Sequence, residues 1–502
     1  MPDLCEVARR KMSVSNFIRR SFRRRSSYNP GTQLDTLRDD VADLREAHTL
    51  PKTGSSVRRT LELDLIEYQD RELFQYIVIV SLKAGRDGSP VAVPEITYQF
   101  PKPENMTKAM REEEKNLCNV IPLFCFPDGP DSYSNSQLKS ETFSFMLTNI
   151  DGSRRFGYCR RFLPEGKEDR SSEVYCIISR LGCFELFSTI LEEVETRRKI
   201  SLAMVYPFVR ALKDAPFPAP GKTVKVQSFI PGRGTETIKL TRPLDSRLEH
   251  VELGTLFSSL SVEQVVQVFV SLLLERRVIL VAQELSQLSR CIHAVVALLY
   301  PFSWQHTYIP VLPPSLIDTV CSPTPFIMGL QSSSLGLLDG QPMEEVLLVD
   351  LCKKKFLKKV GDEFTLLPHK LQTPLVEELR KCFERYKQSG DSPSASASLN
   401  KEVSAAFIEL HLQLVGHYPH HVGTESHPQQ FDGRQFRKAL ASRSTRHFLK
   451  VFVQTQAFQG FIQEREQGCT PTQGLFEQKV QENLRKEKAK KRISLAGKLR
   501  KS

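Results

Sequence analysis

The chain has 502 residues, 40% of them hydrophobic and 25% charged, which is a globular composition with room for two to four structural units. It holds no run of eighteen apolar residues, no apolar stretch behind its charged N-terminus and no C-x-x-C pair among eleven cysteines, so it reads as soluble, non-secreted and without a finger-type zinc site. The net charge of +12 lies at the ends, with +6 on residues 1–28 and +8 on residues 479–502; the remaining −2 on the 450 residues between argues against a nucleic-acid groove on the folded body.

Residues 1–70 are polar and irregular and are expected to form a disordered basic arm. Within it Phe17, Ile18 and Phe22 alternate with arginines, a pattern that suits a short helix lying on anionic lipid as well as a solvated arm, the second being the simpler reading. Ser26 and Ser27 follow three arginines and are candidate phosphorylation sites that would weaken such attraction. From Phe74 the character changes. Tyr76 to Leu82 is a continuous apolar run of strand length, and Ile96 to Phe100 alternates and stops at Pro101. Lys108 to Val120 is charged and helical, followed by an apolar segment. Thr142 to Thr148 and Arg155 to Phe162 flank Asp151-Gly152, a hairpin turn signal. Val174 to Ser179 reads as another strand and Glu185 to Arg197 as a helix. These elements make a first α/β lobe.

Pro216-Phe-Pro-Ala-Pro-Gly is a stiff connector and marks a boundary. The Gly221-Lys222-Thr223 inside it lacks the earlier glycine of a phosphate loop, since Pro216 stands there. Beyond it, Ser261 and Gln264 form a capping box before the helix Val265 to Leu274. The strand Val278 to Ala282, the helix Leu285 to Leu299 and the strands Thr307 to Leu312, Phe326 to Leu330 and Val346 to Asp350 follow. Short apolar strands alternating with helices imply a second sheet covered by helices. Past Leu366 the segments Val376 to Tyr386, Glu402 to Val415 and Gln435 to Ile462 are helical, and Ser389 to Ser398 is expected to be a mobile low-complexity loop. Leu475 to Ser502 begins as an apolar-striped helix with Phe476, Val480 and Leu484, then decays into lysines.

Chemistry-bearing motifs are scarce. The sequence contains no nucleophile elbow, zincin helix, kinase loop or dinucleotide fingerprint, and no cofactor or metal is expected. His411, His417, His420, His421 and His427 cluster at irregular spacing and read as a polar loop. Glu192, Glu193 and Glu195 with Arg197 and Arg198 read as the solvated, ion-paired face of a helix. Cys125, Cys176 and Cys291 stand in apolar context, as reduced, buried cysteines do.

The segment Glu275 to Leu330, with PFSWQHTYIPVLP followed by SPTPFIMGL, resembles the central DENN module. ITYQFPK, IPLFCFPDG, FSFMLTNIDGSRRFGYCRRFLP and RLGCFELFSTILEEVE resemble the upstream module of the second DENN-domain-containing subfamily, and EEVLLVDL with the helical tail resembles its downstream module. The short upstream arm is most like the D-type member. The resemblance implies a longin-like lobe at 71–223, a second α/β lobe, the central module, at 242–375 and an all-helical downstream module at 376–466, between basic tails at 1–70 and 467–502. It also implies a guanine nucleotide exchange factor, cytoplasmic or peripheral on endosomal or Golgi-derived membranes. Such a factor binds a Rab GTPase between its lobes, stabilises the nucleotide-free form and serves late-endosome-to-Golgi traffic. A GTPase-activating protein using an arginine, or a non-catalytic Rab effector or scaffold, are the alternatives. GTPase-binding candidates follow from the implied partner position. They are Asp151, Gly152, Tyr158 and Arg160 on the first lobe's hairpin, Glu275, Arg276 and Arg277 at a helix-to-strand junction, and Phe302, His306 and Tyr308 in the aromatic loop. Trp304, the only tryptophan, and Tyr308 sit among prolines and apolar residues and are more readily core plugs than contacts.

Overall fold

The computed structural model describes residues 72–83, 93–102, 108–128, 140–148, 153–162, 172–242, 251–390, 392–423, 431–466 and 474–486. The chain falls into two compact units. One comprises residues up to Arg242 apart from two short segments; the other comprises Pro243–Ser502 together with Glu141–Phe145 and Cys183–Leu186. The arm at 1–70 with Ser26 and Ser27, the turn residues Asp151 and Gly152, His427 and the tail beyond residue 486 lie outside the described residues.

The first unit is built on a five-stranded sheet in the order β2-β1-β5-β4-β3, with β1 Tyr76–Lys83, β2 Val93–Phe100, β3 Glu141–Thr148, β4 Arg154–Phe162 and β5 Glu173–Ser179. The β1/β2, β1/β5 and β4/β5 pairs are antiparallel. The central strands β1 and β5 are buried along almost their whole length, which is why their sequences are unbroken apolar runs rather than alternating ones. Helix α1 (Lys108–Cys125) runs through Pro122 to take in the apolar segment that the sequence had set apart from the helix. Helix α2 (Phe184–Ile200) follows, and then α3 (Leu202–Asp214), which the sequence reading did not place. A two-stranded hairpin, β6 (Thr223–Ile230) and β7 (Gly234–Thr241), occupies a stretch for which no element was expected.

Arg197 departs most from its expected role. Its guanidinium is fully buried against the Phe208 ring at 4.1 Å, donates to Glu193 Oε2 at 2.6 Å and reaches Ser228 Oγ on β6 at 3.1 Å. The expected spacing-four ion pair is present, but one partner is a core strut that ties α2 to the hairpin rather than a solvated charge.

The second unit holds a five-stranded sheet in the order β12-β11-β8-β10-β9, with β8 Arg277–Ala282, β9 Thr307–Ile309, β10 Phe326–Gln331, β11 Val346–Asp350 and β12 Lys355–Lys358. All pairs are parallel except the outermost, β11/β12. Parallel strands require crossover helices, and α4 (Leu253–Ser259), α5 (Val262–Leu273) and α6 (Leu285–Ala297) are largely buried around them. The capping box at Ser261 and Gln264 is formed in both directions. The strand expected over Thr307–Leu312 ends at Ile309, because Pro310 has no N–H to continue the ladder. Gly329 in β10 is required: a Cβ there would lie 2.0 Å from the Pro310 carbonyl oxygen and 2.7 Å from Ile292.

The helical part comprises α7 (His369–Ser389), α8 (Pro393–Val415), α9 (Gly433–Lys438), α10 (Arg443–Phe452), α11 (Gln456–Glu466) and α12 (residues 475–486). The expected mobile loop at Ser389–Ser398 is corrected: most of it is the first turns of α8. Ser392 caps Ala395 N at 3.2 Å, Pro393 takes the first helical position, and the alanines favour the helix. The helical stretch expected over Gln435–Ile462 is three helices, with Ser442 and Thr455 starting new ones by accepting from Thr445 N and Phe458 N. The apolar stripe of α12 is seen as buried Phe476 and Val480 and half-buried Leu484. Among the described residues no single helix is long and apolar enough to cross a membrane.

Candidate functional site

On the first unit Tyr158 is buried in β4, its hydroxyl donating to the Leu181 carbonyl at 2.7 Å and its ring stacked 4.3 Å from Phe187. Arg160 lies on the same strand and pairs with Glu195 of α2 at 2.6 Å. Tyr158 is thereby a core residue in this structure, and Arg160 an inter-element strut with its edge in solvent. Two residues apart, Tyr158 and Arg160 share one face of an inner strand, the face against which α2 packs.

On the second unit the structure brings several candidates together, around the N-terminus of α11. Glu275 adopts a left-handed backbone at φ 56, which turns its carboxylate back toward that helix end. It accepts from Gln456 N at 3.0 Å and Ala457 N at 2.8 Å, and His306 Nε2 lies 3.0 Å away. Burial alone would raise its pKa, yet the adjacent His306 imidazole and the hydrogen bonds from the two backbone amides hold the carboxyl below the usual range. This is an anion cap supplied by a residue distant in sequence, placed where the helix dipole favours negative charge. Trp304, only 2% exposed, stands edge-on to His306 at 5.3 Å and donates to the Thr307 carbonyl. Phe302 is packed by His411, Phe452 and Phe461. Tyr308 is buried with its hydroxyl on His293 Nδ1. The aromatic loop is thus a plug between the parallel sheet and the helices, with the side chains of Phe302 and Tyr308 buried, as the reading of Tyr308 as a core plug expects.

The two arginines after Glu275 are also engaged. Arg276 grips Asp362 with both nitrogens, at 2.5 and 2.6 Å, which holds the Asp362 carboxyl below its usual range. Arg277 donates to the Glu344 carbonyl and lies 3.7 Å from Glu345. They fasten the start of β8 to the segments before β11 and after β12.

Sequence reasoning missed the groups that are exposed. Phe229 on the β6–β7 hairpin and Phe364 after β12 are each 63% exposed, the largest values for large apolar side chains among the described residues. A Pro-Gly turn between alternating residues was available as a hairpin signal at 231–232. Cys125, Cys159 and Cys176, from α1, β4 and β5, bring three buried thiols within 4.8 Å of one another, an arrangement that no sequence spacing reveals. Burial pushes the Cys159 and Cys176 thiols well up, so they pack as small apolar groups. Of the histidine cluster, His411 is buried inside α8 and His417 stacks on Phe436 at 4.2 Å, so part of the expected polar loop is core.

Three family models match the chain along this architecture: the uDENN domain over residues 94–162, the DENN (AEX-3) domain over 170–354 and the dDENN domain over 431–479. A longin-like sheet unit, a parallel-sheet unit and a helical C-terminal part carrying these matches define a tripartite DENN protein. The chain is 52% identical to human DENN domain-containing protein 2B over 478 residues, covering 95% of this chain and 42% of that protein. It is 56% identical to mouse DENN domain-containing protein 2A over 432 residues, or 85% and 43%. With mouse DENN domain-containing protein 2D it shares 50% identity over 466 residues, 92% of this chain and 98% of that protein. The chain therefore belongs to the DENN domain-containing protein 2 family. It spans under half the length of its 2A and 2B relatives and nearly all of 2D, while identity is similar for all three.

Proposed function

We propose that this protein is a guanine nucleotide exchange factor for a Rab GTPase. The observation that carries the reading is the complete set of upstream, central and downstream DENN modules, in that order, in a chain at least half identical to DENN domain-containing proteins 2A, 2B and 2D. The chemistry is one of linkage. A GTPase that holds GDP with a nanomolar constant is stabilised by about 12 kcal/mol. A partner that prefers the nucleotide-free form weakens nucleotide binding by the same factor, by holding the switch segments away from phosphate and Mg²⁺. Neither a nucleophile nor a bound metal is needed for that; rigid surfaces are. The Rab is one of late-endosome-to-Golgi traffic, and the basic ends at 1–28 and 479–502 draw the protein to anionic membranes from the cytoplasm.

The test is release of fluorescent GDP from a Rab panel in the presence of excess nucleotide. Accelerated release from at least one Rab is expected, and deletion of residues 1–28 leaves the rate in solution unchanged. Accelerated hydrolysis with unchanged release would instead identify an activating protein. Binding only to the GTP form would identify an effector.

A further inference from the structure

We propose that the β11–β12 hairpin of the second unit is a membrane-docking element for anionic phospholipid. It is a second contact in the folded body, separate from the basic ends. The near-neutral charge of the body as a whole conceals a concentrated patch. Residues 353–359 read KKKFLKK, and Lys353, Lys354, Lys355, Lys358 and Lys359 are all exposed, on the outermost strand of the sheet and the turns that flank it.

The neighbouring acids are committed elsewhere. Asp350 is buried and accepts the Cys352 and Lys353 amides at 3.0 and 2.9 Å, with only Lys353 near its second oxygen at 3.7 Å. Glu363 is buried and accepts the Val360 and Gly361 amides. Asp362 belongs to Arg276. None of the three neutralises Lys354, Lys355, Lys358 or Lys359.

Lysines on an edge strand are a common guard against strand addition, and that function alone would account for the charge. It does not account for Leu357, Val360 and Phe364, which are 37%, 39% and 63% exposed within the same short stretch and work against such a guard. A purely acidic protein surface would answer the lysines and leave these side chains in water. An anionic bilayer answers both, with phosphates at the level of the ammonium groups and acyl chains just beneath for the apolar side chains.

The experiment is co-sedimentation of the full chain with phosphatidylcholine vesicles with and without phosphatidylserine, at low and raised salt. Three proteins are compared: the natural chain, the triple variant Lys355→Gln/Lys358→Gln/Lys359→Gln, and Phe364→Ser. Thermal melting checks that these surface changes leave the fold intact. The expected result is salt-sensitive binding to phosphatidylserine vesicles that falls at least about tenfold in the triple variant. Phe364→Ser weakens binding while keeping the salt dependence. Binding by both variants equal to that of the natural chain would overturn the proposal and leave the basic ends as the whole attraction. Unaltered vesicle binding in the triple variant together with lost GDP release from a Rab would also overturn it, making the hairpin a protein contact. Sedimentation is scored without reference to exchange, so failure here and failure of the exchange reading are told apart.

Discussion

Glu275 shows how one residue type admits two readings that only geometry separates. In sequence it opens a Glu-Arg-Arg run before a strand, a fair place for a partner contact. In the structure its carboxylate caps α11 and faces His306. Replacing it by alanine is expected to destabilise the protein by about 1 to 2 kcal/mol, because two amide donors at the start of α11, one of them part-buried, lose a charged acceptor. Denaturant unfolding measures this, and a residue that only touched a GTPase would instead lower exchange at unchanged stability. Trp304 was legible as core from its singleness and its prolines. Tyr158, Phe302 and Arg197 were not, because an aromatic or charged residue looks the same in sequence whether another element packs over it or leaves it in solvent.

Elements were easier to read than side-chain roles. Strands β1, β5, β8 and β11 are buried on both faces, so their apolar runs stand out against any background. The β6–β7 hairpin alternates buried and exposed residues and is rich in threonine and lysine, which hides it in a composition expected of a connector. Helix α8 was half lost because serine and proline at a helix start resemble a linker until the cap geometry is seen. The tightest constraint on any element is at Gly329, where β10 passes against the Pro310 carbonyl and α6. Gly329→Ala is expected to lower the melting temperature by several degrees, since backbone must move to admit the methyl group. An unchanged melting curve would show that β10 has room to shift.

At the scale of the whole molecule, two buried histidines set an acid limit. Burial holds the His293 and His411 imidazoles down at about 3, so both are neutral in the folded chain. In the unfolded chain they take up a proton near pH 6.5. The unfolded state therefore binds more protons below that value. Stability is full above about pH 6.5 and falls as pH drops toward 3, by up to about 1.4 kcal/mol per pH unit for each histidine. Chemical unfolding midpoints between pH 7 and 5 test the slope, and His411→Phe is expected to remove roughly half of it. Charge summed over the body says little of its distribution. A total of −2 argues against a nucleic-acid groove, and five lysines still stand on one hairpin, since a sum keeps no record of position.

The cap at Glu275 also orders events during synthesis. The acid leaves the ribosome some 180 residues before its amide partners at 456 and 457. Until those arrive, the carboxylate faces His306 but lacks the two helix-end amides that complete its surroundings. A nascent chain halted after α7, or a transcript spliced short of α11, would leave that acid without its helix-end amides, so the downstream module completes a contact that the central one begins.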